Sequence, residues 1–464
     1  MIRSKLLIFS IVLLGLFLGI ISSFSLPPYN FYFLNFFTLP IFFLIVLNNK
    51  LKLNFFVGWF FGFGYFASNL YWVTNSLTFE DIFKPLIPIV LILLPLLLGL
   101  FYGLSTLLFS FLNKNKNLSS IILFVIILSL VDYLRGNVLG GFSWNMLVYS
   151  LSSSYKLLQI LSDIGTYSLN LIVLTIFIIP SVIFLKISFI KKISVVTFGI
   201  VICVISSFYG SIKISNNYKI QLEPLHSKIK VISPKISLNR FFEGETSVSI
   251  LKELIKTSKP EKEISTIFIF PEGLLNFNLM DLDHYRNIFK ENFSDKHVIV
   301  IGINSSKNND IYNSMVLINN EAELIQKYDK NKLVPFGEYL PFEVFLKKMG
   351  LKKITQGYQS FKKSSKRDLF ILGNIKFLPL ICYEIIDTGK LNPNNYNFDF
   401  ILNISEDGWF GNSIGINQHF AHAKFRAIEE GKYVIRSTNN GITAIIEPTG
   451  NYLNKIESTE KGFI

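Results

Sequence analysis

Charge is nearly absent from the first half of this chain. No Asp, Glu, Lys or Arg occurs in residues 6–49, 53–79, 85–113, 117–131, 164–185 or 193–212. Runs of that length and composition exclude an ordinary water-soluble domain, because about 20 consecutive apolar residues are enough to cross a bilayer. Cysteine is scarce as well: there are two, Cys203 and Cys382, in 464 residues. Two cysteines cannot describe a disulfide framework. Cys203 lies inside an apolar run, so no bridge between the two is expected. No internal repeat and no low-complexity tract interrupts the chain.

The apolar runs dominate what is present. Half of the residues are hydrophobic and mean hydropathy is +0.43. The surplus ends near residue 212. Residues 6–49 make up about two spans, broken by Pro27-Pro28-Tyr29-Asn30. Seven membrane helices are expected, near 6–25, 31–47, 54–74, 86–112, 118–134, 166–185 and 193–211. Asp132 and Arg135 close the fifth. The Gly- and Ser-rich segment 136–163 reads as a loop with a re-entrant or interfacial piece. The expected division is a helical bundle over 1–212, a linker over 213–226 and a second domain over 227–464.

Loop cations orient the bundle. Arg3, Lys5, Lys50, Lys52, Lys114, Lys116, Lys186, Lys191 and Lys192 lie on one side, against Lys84, Arg135 and Lys156 on the other. This asymmetry puts the N-terminus in the cytoplasm. An odd number of spans then puts the second domain outside it. Net charge is +13. An extracytoplasmic domain meets no nucleic acid, so an anionic lipid surface is the expected partner of the basic residues. The richest basic stretch, Lys347 to Arg367, reads as a lipid-facing arm.

After residue 227 the pattern changes to short β-rich runs alternating with amphipathic stretches. Strands are expected at 228–232, 266–270, 298–303, 314–318, 377–382, 398–404, 433–437 and 443–447. Helices are expected at 246–257, 281–289 and 416–430. The mixture argues an α/β sheet covered on its faces.

Three polar residues stand out because each ends or follows an apolar strand: Glu272, Lys330 and Cys382. A thiol becomes a nucleophile on losing its proton. A carboxylate in reach can take it, and an ammonium can hold the oxyanion that forms when a carbonyl is attacked. Their product is a thioester. His419 and His422 lie three apart on an expected helix, with no third His or Cys nearby, so no metal site is read there. Arg426 and Glu429 on the same helix suit a local ion pair.

The flanks of these residues resemble the nitrilase, or carbon–nitrogen hydrolase, superfamily. The segments Leu333-Val334-Pro335-Phe336-Gly337-Glu338, Ile381-Cys382-Tyr383-Glu384 and Asp407-Gly408-Trp409-Phe410-Gly411 resemble its apolipoprotein N-acyltransferase branch. So do Gln418-His419 and Phe425-Arg426-Ala427-Ile428-Glu429, and, in the apolar half, Asp132-Tyr133-Leu134-Arg135-Gly136 and Gly141-Phe142-Ser143-Trp144-Asn145. The resemblance implies an αββα sandwich after the bundle and a Glu272–Lys330–Cys382 triad. It implies that Glu338, Tyr383 and Glu384 support the triad, with Tyr383 supplying a backbone N–H, and that Trp409 borders the acyl pocket. It implies a membrane phospholipid as acyl donor, a diacylglyceryl apolipoprotein as acceptor, no cofactor, and a multi-pass protein of the bacterial inner membrane with its catalytic domain in the periplasm. A monomer is expected. Two features depart from the pattern. Glu406 stands where the branch has Asn, and the sequence stops at Ile464 where relatives have an eighth membrane helix, as if truncated or anchored only through its first half. Two other readings compete: a membrane-anchored amidase that passes its thioester to water, and a transporter with a degenerate outer domain. The near absence of charge within the helices argues against the transporter.

Overall fold

The computed structural model describes residues 2–138, 140–217, 227–241, 246–275, 278–348, 350, 352–354 and 359–464. The chain forms two compact units, Met1–Tyr218 and Lys219–Ile464.

The first unit is helical: α1 Ile2–Ser23, α2 Asn35–Asn48, α3 Leu51–Leu70, α4 Ile87–Leu112, α5 Leu118–Asn137, the short α6 Tyr155–Leu158, α7 Leu161–Ile178 and α8 Phe189–Asn217. Seven of these coincide with the expected spans. Among the described residues, five stretches are long and apolar enough to cross a membrane: Lys5–Ser23, Asp81–Leu112, Leu118–Asn137, Leu161–Phe184 and Phe189–Asn217. Their outward faces carry exposed Leu, Ile and Phe, including Phe111, Phe189, Ile190 and Phe208. A surface of that kind suits lipid and not water. Within the unit, α3 and α4 pack closely because Gly62 faces Gly99. A Cβ on Gly62 would lie 2.7 Å from the Gly99 Cα, the small-residue contact typical of membrane helix pairs.

The segment after α5 differs from the expected loop. α7 begins at Leu161 and bends at Gly165 (φ 75°). Trp144, Met146, Leu147 and Val148 are buried in the bundle. Asp132 and Arg135 do not cap a helix end in water. They pair at 3.0 Å, Asn170 donates to Asp132 at 3.0 Å, and Arg135 donates to the Phe142 and Trp144 carbonyls at 2.7 Å. Two backbone carbonyls of the segment are thus held by this buried pair. α8 extends to Asn217, into the expected linker, and 218–226 lie outside the described residues.

The second unit contains β1 Lys228–Ser233, α9 Ser247–Ser258, β2 Thr266–Ile269, α10 Arg286–Asn292, β3 His297–Lys307, β4 Asp310–Ile318, β5 Leu324–Asp329, α11 Glu343–Lys348, β6 Phe370–Leu372, β7 Ile375–Ile381, β8 Phe400–Glu406, α12 Ile414–Glu430, β9 Tyr433–Asn439, β10 Thr443–Ile446, β11 Tyr452–Ile456 and β12 Gly462–Phe463. They build two six-stranded sheets, ordered β12-β1-β2-β3-β4-β5 and β11-β10-β9-β8-β7-β6. Parallel pairing holds the centres, β1-β2-β3 in one and β7-β8-β9 in the other.

Alternation along each strand makes the layers. Ile267 and Ile269 of β2 join Phe377, Ile381, Leu402 and Ile404 in a core shared by the two sheets. Phe268 points the other way, into a core with Ile250, Leu254 and Phe289 of α9 and α10. α12 packs on the second sheet with Ala423, Phe425 and Ala427 buried. The result is the expected αββα arrangement. Sequence reading missed β5, β6, β11 and β12, which are short or polar edge strands with exposed Leu324, Ile371 and Leu453.

Candidate active site

The candidate residues gather where the parallel strands of the two sheets end. Glu272 lies three residues past the end of β2, in the turn that follows it, and β3 passes beside it. Gly302 on β3 permits this approach, since a Cβ there would lie 2.6 Å from the Glu272 Cα. β5 ends at Asp329 and Lys330 follows. β7 ends at Ile381, and Cys382 turns the chain at φ +49° into a short 3-10 helix, Cys382–Ile386. Non-glycine residues avoid that region, so the thiol sits on a strained elbow.

All three are buried, Lys330 to 1 % exposure. Lys330 Nζ donates to Glu272 Oε1 at 3.2 Å and to Glu338 Oε1 at 3.0 Å. Asn313 Nδ2 donates to the same two oxygens, at 2.7 and 2.8 Å. Glu338 Oε2 accepts from the Val334 N–H at 2.8 Å, and Glu272 Oε2 accepts from the Glu406 N–H at 3.0 Å. Burial favours neutral Lys330, but Glu272 and Glu338 outweigh it and hold the ammonium well above the usual lysine value. The Cys382 thiol goes the same way for a different reason. Burial, then the charge of Glu272, push it well above the usual thiol value, against the pull of Lys330 and a hydrogen bond from Ser405. The resting nucleophile is therefore a thiol beside a carboxylate and an ammonium, and it needs a base to react.

Glu384 braces the elbow. It is fully buried, and its Oε2 accepts from the Ile381 N–H at 2.8 Å. Its Oε1 accepts from Tyr328 Oη at 2.7 Å and from the Asn331 and Lys332 N–H groups at 2.8 and 3.1 Å. Arg367 Nη2 donates to the same oxygen at 3.2 Å. One side chain thus ties the elbow to the loop that carries Lys330. The Tyr383 ring lies outside this group, under the Lys332 ammonium at 5.3 Å. Trp409 sits half-buried on the short 3-10 helix Asp407–Phe410, three residues past Glu406.

Sequence reasoning missed several members. Asn313 lies in a β-rich run with nothing to mark it. Ser405 bridges to Asp407 Oδ1 at 2.7 Å. Asp407 accepts from Arg436 Nη2 at 2.8 Å and meets His419 Nδ1 at 2.9 Å. Burial would raise the Asp407 carboxyl, but Arg436 and His419 hold it well below the ordinary range. Burial and Arg436 lower His419 against the pull of Asp407, and the ring also bonds the Cys382 backbone. His419 therefore supports the elbow from α12. Arg426 and Glu429 pair at 3.0 Å as expected, and Glu429 also accepts from Thr388 at 2.6 Å.

The basic stretch needs a correction. Lys353 and Arg367 are buried and do not belong to a surface arm. Arg367 serves Glu384, and the Lys353 ammonium lies over the Phe361 ring at 4.4 Å. Burial brings Lys353 down to about 8, with Glu338 opposing. Lys347 and Lys348 on α11 are exposed. Residues 349, 351 and 355–358 of the stretch lie outside the described residues.

The sequence matches two family profiles, the apolipoprotein N-acyltransferase N-terminal domain over residues 18–179 and carbon-nitrogen hydrolase over residues 289–464. An apolipoprotein N-acyltransferase of Rickettsia typhi is 30% identical over 418 residues, 88% of this chain and 82% of the relative. One from Rhizobium rhizogenes is 28% identical over 488 residues, 98% of this chain and 89% of the relative.

Proposed function

The chain belongs to the apolipoprotein N-acyltransferase family, and on that footing we propose that it moves a fatty acyl chain from a membrane phospholipid to the N-terminal amine of a diacylglyceryl-cysteine apolipoprotein, through a thioester on Cys382. It is an acyltransferase. The observation that carries the mechanism is the buried thiol on its elbow beside Glu272 and Lys330.

Glu272 takes the Cys382 proton as sulfur attacks the ester carbonyl. The oxyanion forms beside the Lys330 ammonium and the Tyr383 N–H. Its collapse returns the proton to the leaving alkoxide and releases a lysophospholipid. The acceptor amine then attacks the thioester, Glu272 takes the amine proton, and the thiolate leaves and is reprotonated. Glu338 and Asn313 share the Glu272–Lys330 contacts and keep acid and ammonium in register, and Glu384 fixes the elbow. Trp409 borders the acyl chain. The catalytic unit works on the periplasmic side of the inner membrane, where exposed cations such as Lys347 and Lys348 favour anionic headgroups.

The test is incubation of the whole protein with phospholipid, followed by mass spectrometry of the peptide containing Cys382, then addition of a diacylglyceryl-cysteine peptide. An acylated Cys382 that discharges onto the peptide amine is expected, with neither product from Cys382→Ala. Discharge only to water, with ammonia released from simple amides, would establish the amidase instead.

A further inference from the structure

Glu406, the position that departs from the family pattern, touches Glu272 through its backbone. Its side chain turns away, to Arg240. Arg240 Nη2 donates to Glu406 Oε2 at 2.7 Å, with both side chains buried. The same nitrogen donates to the Gly273 carbonyl at 3.2 Å, and Nη1 donates to the Ser237 carbonyl at 2.8 Å. Asn439 Nδ2 donates to Glu406 Oε2 at 2.7 Å, and the Gly408 N–H donates to Oε1 at 3.0 Å. Arg240 therefore grips the residue after Glu272 and, through Glu406, the N–H that binds Glu272 Oε2. One guanidinium thus reaches the backbone beside that acid and the residue whose N–H binds its Oε2.

We propose that Arg240 and Glu406 are positioning residues that hold Glu272 against the Cys382 thiol as a balanced charge pair. This rests on the reading of Glu272 as the base. Breaking a buried pair on one side leaves an uncompensated charge, whereas removing both partners leaves none. The thiol is faced by Glu272, by Lys330 from the loop after β5, and by Asp407 and Ser405 from the end of β8, with His419 of α12 on its backbone. A net charge added behind Glu272 acts on it through this group.

The experiment compares Glu406→Gln, Arg240→Met, Arg240→Lys and the double variant Arg240→Met/Glu406→Gln in the full-length protein. Acyl-enzyme formation is measured against phospholipid concentration, and Cys382 alkylation by iodoacetamide against pH. Each neutralising single variant is expected to slow acylation at least about tenfold at saturating donor, with unchanged half-saturation. The double variant recovers most of the loss, and Arg240→Lys loses less than Arg240→Met. Alkylation should shift to lower pH in Glu406→Gln, which removes an anion, to higher pH in Arg240→Met, and return in the double variant. Single variants at the wild-type rate, a double variant as slow as the slower single, or alkylation shifts of one sign throughout would overturn the proposal. A wild-type protein that never acylates Cys382 refutes the transferase reading, while the alkylation series still decides the role of the pair.

Discussion

Lys330 meets two opposed demands. Burial favours a neutral amine, and two carboxylates require a cation, which wins. Lys330→Met should slow acyl-enzyme formation by a factor corresponding to about 3–4 kcal/mol of oxyanion stabilisation. It should also move alkylation of Cys382 to higher pH. The sign follows from the thiol's surroundings: Lys330 lowers its pKa and Glu272 raises it, so removing the cation leaves the raising charge unopposed. A shift to lower pH would contradict the assignment. Asn313 makes a second case at this scale. It gives both amide hydrogens to carboxylates, and hydrogen bonds to charged groups contribute about 1.5–3 kcal/mol each. Asn313→Ala should slow acylation while the protein folds. Asn313→Asp should be slower still, because it sets a third acid against Glu272 and Glu338. Stopped-time thioester yields would rank the two.

At the scale of elements, the elbow after β7 and the loop after β5 are one device joined by Glu384. Arg367 supplies its only cation among the described contacts. Arg367→Met should lower stability by about 3–5 kcal/mol through the uncompensated buried acid, read as a fall in denaturation midpoint. Arg367→Met/Glu384→Gln should recover part of it. The elbow itself stores backbone strain of about 1–3 kcal/mol at the positive φ of Cys382. Glycine enters that region without the Cβ penalty. Cys382→Gly should therefore melt at a higher temperature than Cys382→Ala, both being inactive. Equal midpoints would mean the elbow is relaxed.

For the whole molecule, the apolar helices and the loop cations make a claim independent of the chemistry. A reporter active only outside the cytoplasm should work when fused after residue 213 and fail near Lys50, Lys114 or Lys191. The reverse would put the catalytic unit in the cytoplasm. Exposed cations give a second prediction. Lys347 and Lys348 neutralised together should weaken acylation from anionic bilayers, at on the order of 1 kcal/mol each. High salt should shrink the effect. Lys353 is left out of the set because it is buried. The Lys347–Glu343 pair, exposed and at 2.8 Å, offsets little of this attraction.

Sequence by itself determined the apolar helices of the first half, the change to β structure after residue 227 and the positions of the core strands. Those signals are local: hydrophobic length, alternation and the polar residue that ends an apolar run. The same locality picked out Glu272, Lys330 and Cys382, and the family resemblance of their flanks added Glu338 and Glu384. The tertiary structure decided which unmarked polar residues stand beside them. Asn313 and Arg240 are ordinary in their own segments and acquire their acidic partners, 41 and 166 residues away in the chain, only when the elements that carry them are brought together. It also decided that Asp132, Arg135, Lys353 and Arg367 are buried. A charged residue next to a loop reads as solvated until the group that pairs with it is known, and pairing is a property of the folded chain.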